Sequence, residues 1–122
     1  MLVEGTGGGD GITGGNLGVY VSSAGTITSA GAESGATVTV RGFGGNITGT
    51  GGGNNGVYVN GTNSQITSSG GAVLVEGTGG GAGSSVTNFG VYVSTAGTIT
   101  SAGAEAGAAV TVRGCGGNTT GT

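Results

Sequence analysis

The chain repeats itself, and that constrains its fold more than any local motif. Residues 1–50 align without a gap onto residues 73–122, an offset of 72, and 38 of the 50 positions are identical. MLVEGTGGG returns as VLVEGTGGG, GVYVSSAGTITSAGAE as GVYVSTAGTITSAGAE, and VTVRGFGGN as VTVRGCGGN. The unit divides further. A V-x-V triplet starts at Val19, Val38, Val57, Val73, Val91 and Val110, and Met1-Leu2-Val3 opens the series. Successive starts are 18, 19, 19, 16, 18 and 19 residues apart. A second apolar signal, Ile followed by Thr, stands at Ile27, Ile47, Ile66 and Ile99.

Period-2 alternation of β-branched residues over about four positions signals a strand. Neighbouring side chains of a strand point to opposite faces, so the two valines of a triplet face one way. Their uniformity predicts that they line a narrow interior. The residue between them (Leu2, Tyr20, Thr39, Tyr58, Leu74, Tyr92, Thr111) takes the outward position. Short single strands separated by turns, with no helical pattern, suit a parallel β-helix. The spacing predicts an all-β solenoid without helices. It would have about 18 residues per coil and seven coils, starting near 1, 19, 38, 57, 73, 91 and 110. At roughly 4.8 Å per coil the rod would stand roughly 30 Å tall.

Composition supports a thin core. The chain has 122 residues, of which 35 are Gly, two Phe and three Tyr, with no Pro, Lys, His or Trp. A globular core of this size needs large side chains; columns of Val, Ile and Ala fill a solenoid. Most glycines lie between the triplets, where turns need them. The whole chain reads as one repeat domain. Because Met1 replaces a repeat valine and the series stops inside its seventh coil, it also reads as an excerpt of a longer repeat protein.

Net charge is −3 with 6 % charged residues. Without a basic patch, nucleic-acid binding has no electrostatic footing. No apolar run approaches a membrane span, and no N-terminal segment has the layout of a signal peptide. Catalysis needs converging groups with tuned proton affinities, and His, Lys and a Cys–His pair are all absent. The carboxylates are Glu4, Asp10, Glu33, Glu76 and Glu105. On an 18-residue coil Glu4 lies four coils from Glu76, and Glu33 four from Glu105, too far apart for paired carboxylate chemistry. GTGGGDG lacks the Lys of a phosphate loop. Its Asp10 becomes Ala82 in the second copy, so it makes a poor calcium cage. The expectation is a non-enzymatic chain without cofactor or metal.

Candidate functional residues then lie in surface columns. The position after each triplet reads Glu4, Ser22, Arg41, Asn60, Glu76, Ser94, Arg113. It predicts a charge ladder of Glu4, Arg41, Glu76 and Arg113, with opposite charges two coils and roughly 9–10 Å apart. Tyr20, Tyr58 and Tyr92 form a possible contact column that packs against another rod or stacks on a sugar. Asn16, Asn54 and Asn88 alternate with Gly35, Gly70 and Gly107, which reads as a turn tolerant of left-handed backbone. The sequons at Asn46, Asn60 and Asn118 are explained equally by turn chemistry. Thr26/Thr28, Thr37/Thr39 and Thr98/Thr100 suggest a water-ordering, ice-binding array. That array is interrupted at Asn46/Thr48 and Gln65/Thr67, and Thr37 becomes Ala109. The single Cys115, aligned with Phe43, has no intrachain partner and reads as a small apolar residue at a partly buried turn; the other reading is an exposed thiol linking copies.

V-x-V-x-G-x-G-G followed by G-V-Y-V…A-G-T-I-T-S-A-G resembles the repeat region of filamentous-haemagglutinin-like and autotransporter-like bacterial surface adhesins. The resemblance spans the chain and lies in texture and period. It implies a right-handed parallel β-helix, exported to the cell surface, acting as a stalk or adhesive fibre. Self-association, end to end or lateral, is the expected partnership. Carbohydrate or a host surface is the alternative partner, and ice binding a third function.

Overall fold

The computed structural model describes residues 1–9, 12–31, 35–45, 48, 50–104 and 107–117. Their secondary structure is strand and turn, without a helix. The strands are β1 (Leu2–Thr6), β2 (Val19–Val21), β3 (Thr26–Ser29), β4 (Val38–Phe43), β5 (Val57–Asn60), β6 (Gln65–Ser68), β7 (Val73–Thr78), β8 (Val91–Ser94), β9 (Thr98–Ser101) and β10 (Val110–Cys115). Every V-x-V triplet is a strand, and three of the four Ile-Thr signals supply the rest. The fourth, Ile47, lies outside the described residues.

The strands sort into three sheets, ordered β1-β4-β7-β10, β2-β5-β8 and β3-β6-β9. All pairings are parallel and in register, with Val3 beside Val40, Val40 beside Val75 and Val75 beside Val112. The chain visits the three sheets in the same order on each pass. Paired residues are 37, 35 and 37 apart in the first sheet, 38 and 34 in the second, and 39 and 33 in the third. Two passes therefore make up the 72-residue repeat.

The 18-residue coil and the count of seven are corrected by this pairing. Triplets 18 or 19 residues apart lie in different sheets, and a strand pairs with the triplet after next. Four strands at parallel spacing span roughly 14 Å, half the expected height. The physical reason is the bend between consecutive triplets. After β2 the chain turns through Ser23 (φ 53°) and Ala24 (φ 61°), and after β8 through Thr95 (φ 51°) and Ala96 (φ 61°). Backbone bonds from Gly25 to Ser22 (2.8 Å) and from Gly97 to Ser94 (2.9 Å) close these turns. Two consecutive left-handed residues reverse the chain within two positions, so β3 and β9 start new sides instead of continuing the old ones.

The inward and outward assignment of the triplets holds. Val38, Val40, Val57, Val59, Ile66 and Val75 are fully buried, with Val73, Val21 and Val19 nearly so. Val3, Ile27, Val91 and Ile99 pack against them from the ends. Each fully buried Val or Ile contributes about 1.5 kcal/mol or more. The last triplets of two sheets are open: Val93 on β8 and Val110 and Val112 on β10 keep 41–48 % of their surface. At the opposite edge of the second sheet Val19 and Val21 stay buried, so the two ends of the stack differ in how far they are covered.

The first sheet also explains the recurring V-x-V-x-G. Its fifth position points inward, where this strand meets the backbone that leads into the second sheet. A Cβ on Gly42 would lie 2.0 Å from the carbonyl oxygen of Gly56, and one on Gly77 2.0 Å from that of Gly90. Only Gly allows the two sides to close there.

A substitution pair tests the inside and outside assignment. Val59→Asp places an unpaired charge in the dry column and should cost roughly 3–5 kcal/mol, seen as loss of the cooperative thermal transition. Tyr58→Asp, one position along and outward, should leave the fold intact by circular dichroism.

Candidate functional site

Three columns run along the stack, each formed by equivalent residues of successive passes. The first is ionic. Glu4, Arg41, Glu76 and Arg113 occupy one register position of the first sheet. Arg41 Nε donates to Glu76 Oε2 at 3.0 Å, Arg41 Nη1 reaches Glu4 Oε1 at 3.5 Å, and Arg113 Nη1 donates to Glu76 Oε1 at 3.1 Å. The contacts replace the expected separation of two coils and roughly 9–10 Å. Opposite charges sit on adjacent strands and touch, because Asn60 and Ser94 belong to the second sheet and Ser22 follows its strand β2. The hydrogen bond from Arg41, then that from Arg113, holds the Glu76 carboxyl below the ordinary carboxylate value. The bond to Glu76, then that to Glu4, holds the Arg41 guanidinium more firmly protonated. All four groups are at least partly open to water, so screening limits their contribution to stability. Beside them lies an open groove, lined also by Phe43, Thr78 and Cys115.

The second column is aromatic. Tyr20, Tyr58 and Tyr92 share one register position of the second sheet. Their ring centroids are 5.1 and 4.8 Å apart, with interplanar angles of 26° and 20°. Phe89 packs at 5.0 Å from Tyr92, tilted by 33°. The hydroxyl tips join a polar row: Tyr58 Oη and Ser94 Oγ are 3.2 Å apart, Asn60 Nδ2 donates to Tyr20 Oη at 3.4 Å, and Ser94 Oγ donates to Asn60 Oδ1 at 3.0 Å. Sequence placed the tyrosines outward on alternate coils. Adjacent stacking makes them one continuous ladder. Tyr58 is stacked between Tyr20 and Tyr92, so it has no ring face left for a sugar.

The third column was misread from sequence. Asn16, Asn54 and Asn88 are not left-handed turn residues: none has positive φ, whereas Asn63 does (φ 63°). They form an amide ladder. Asn16 donates from its backbone N–H (3.1 Å) and Nδ2 (2.9 Å) to Asn54 Oδ1. Asn54 donates in the same way (3.0 and 3.2 Å) to Asn88 Oδ1. The second amide hydrogen of Asn54 goes to the carbonyl of Gly51, and Asn88 Nδ2 donates to Ser85 Oγ. Asn54 is fully buried and Asn88 nearly so. The signal lay in the sequence as an Asn three residues before each V-Y-V. It becomes readable once those triplets are known to share a sheet.

The remaining candidates disperse. Thr26/Thr28, Gln65/Thr67 and Thr98/Thr100 align on the third sheet, with Thr28, Thr67 and Thr100 in one column. Thr26/Thr28 pair directly with Gln65/Thr67, because β3 lies beside β6. Thr39 lies in the first sheet, apart from this array. Asn60 of the middle sequon is a strand residue engaged with Ser94 and Tyr20, not a turn. Cys115 is likewise not at a buried turn: it ends β10 and is exposed with a free thiol. Asn46, Asn118, Asp10, Glu33 and Glu105 lie outside the described residues.

Two substitutions test the columns. Asn54→Ala removes a buried acceptor for Asn16 and a donor for Gly51 and Asn88; it should destabilise by roughly 2 kcal/mol in chemical denaturation. Glu76 has its carboxyl pKa lowered on folding, so its contribution is present at neutral pH and is lost as pH falls through that lowered value. Melting temperature should therefore drop more between about pH 7 and pH 3 in the parent chain than in Glu76→Gln, and added salt should narrow the difference. No family model, curated protein or solved structure matches this chain.

Proposed function

We propose that this chain is a non-enzymatic structural repeat whose three sheets wind as a parallel β-solenoid of about 36 residues per coil. It forms a stiff rod or fibre on the outside of a bacterial cell, for projection, adhesion or self-assembly. One observation carries the reading: each sheet is built from successive passes of the chain, parallel and in register, so another copy of the repeat adds length without changing the cross-section. We take the winding as right-handed, as crossovers between parallel strands nearly always are. The resemblance to surface-adhesin repeats supports the extracellular setting. Connecting segments before the second sheet stack as well, as in the bonds from Gly15 to Gly52 (2.9 Å) and from Gly53 to Val86 (3.0 Å), which favours stiffness there.

Self-association, end to end or lateral, belongs to the same reading: sheets of parallel, in-register strands extend by adding a further strand at an edge. The stacked tyrosines take ring faces away from a carbohydrate, so the structural reading is favoured over a sugar-binding one.

The rod reading is tested by lengthening it. A chain carrying one additional copy of residues 1–72 should grow by two strand spacings, roughly 10 Å, at constant cross-sectional radius in small-angle X-ray scattering. Growth in all dimensions would refute the solenoid, and growth of roughly 20 Å would restore the 18-residue coil. Light scattering that stays monomeric at high concentration would remove self-association while leaving the rod.

A further inference from the structure

We propose that the tyrosine ladder is a site of oxidative covalent cross-linking within the chain, in which neighbouring passes are joined through dityrosine. Three observations converge on it. Tyr20, Tyr58 and Tyr92 stand in register on adjacent parallel strands. Their rings stack with centroids 5.1 and 4.8 Å apart and interplanar angles of 26° and 20°, which holds the phenols of neighbouring passes side by side. The outer two keep 49 % and 37 % of their surface, so a one-electron oxidant reaches them from solvent. The polar row at the hydroxyl tips, with Asn60 donating to Tyr20 Oη and Ser94 Oγ against Tyr58 Oη, holds the rings in one orientation, and the phenolic protons leave to solvent.

The co-reactant is hydrogen peroxide with a haem peroxidase. Each of two adjacent phenols loses one electron and one proton, giving two tyrosyl radicals. The radicals couple through the ring carbons ortho to oxygen, forming one C–C bond. The hydrogens on the coupled carbons move through solvent to the two oxygens and restore both phenols. The net change is loss of two hydrogen atoms from the protein, and one peroxide accepts the two electrons and two protons to become two waters. Proximity decides the partner. Each outer tyrosine touches Tyr58, whereas Tyr20 and Tyr92 are two strand spacings apart, roughly 9–10 Å. The product closes a loop between two passes and restricts the unfolded chain, as a disulfide does. Oxidation thereby hardens the stack that the outward face advertises.

The test is peroxidase treatment of the whole chain at low concentration, followed by dityrosine fluorescence, denaturing gel and peptide mapping. The expected product is a fluorescent monomer with a raised melting temperature. Cleavage after Arg41 separates Tyr20 from Tyr58, and cleavage after Glu76 separates Tyr58 from Tyr92, so a linked pair keeps the respective fragments joined and is identified without any substitution. Tyr58→Phe should abolish the intramolecular signal, while Tyr92→Phe should retain the Tyr20–Tyr58 product. Cross-links found only between molecules would overturn the proposal. So would a signal that survives Tyr58→Phe, or tyrosine consumption without dityrosine.

Discussion

Everything in this molecule depends on one constraint: parallel, in-register pairing of each strand with the strand one pass later. In such an array a residue's nearest neighbour is its own equivalent, so like stacks on like. That suits Val, which fills a column with Val. It suits Asn, whose amide both donates and accepts, and Tyr, whose rings stack at about their natural separation. It does not suit charge. A chain that repeated itself at every pass would place Glu on Glu, which is destabilising. Alternating Glu4, Arg41, Glu76 and Arg113 converts the conflict into contacts of 3.0–3.5 Å. The long repeat spans two passes, 72 residues, for this reason.

Buried polar groups obey the same logic. The interior of the third sheet carries Ser29, Ser68 and Ser101 beside its Ile column. Ser29 Oγ donates to the Ala36 carbonyl at 2.6 Å, Ser101 Oγ to that of Gly71 at 2.9 Å, and Ser68 and Ser101 lie 3.0 Å apart. Hydroxyls there cap the turns that return the chain to the first sheet, and burial without such partners would be costly. The Asn ladder does the same for the segment before β2, β5 and β8. Polar columns thus fix the corners while apolar columns fill the centre.

Much was legible in the sequence. Alternation gave strands at all seven triplets, and inward Val with outward Tyr, Thr and charge. The coil length was not, although its signal was present: triplets with Tyr in the middle (Tyr20, Tyr58, Tyr92) alternate with triplets carrying Leu or Thr there (Leu2, Thr39, Leu74, Thr111). Strands of one kind share a sheet. The Asn ladder and the true spacing of the charges were lost with that step, since both depend on which triplets are neighbours.

The sequence by itself therefore determined the strands and the face each side chain takes, because alternation and repetition are one-dimensional properties of a chain. Only the tertiary structure decided that the strands sort into three parallel sheets and that Glu4 meets Arg41, Tyr20 meets Tyr58 and Asn16 meets Asn54. Those pairings depend on how far the chain bends at Ser23–Ala24 and Thr95–Ala96, and on how closely the backbones at Gly42 and Gly56 approach. Both follow from closing three sides around one core, a condition that no local stretch of residues expresses.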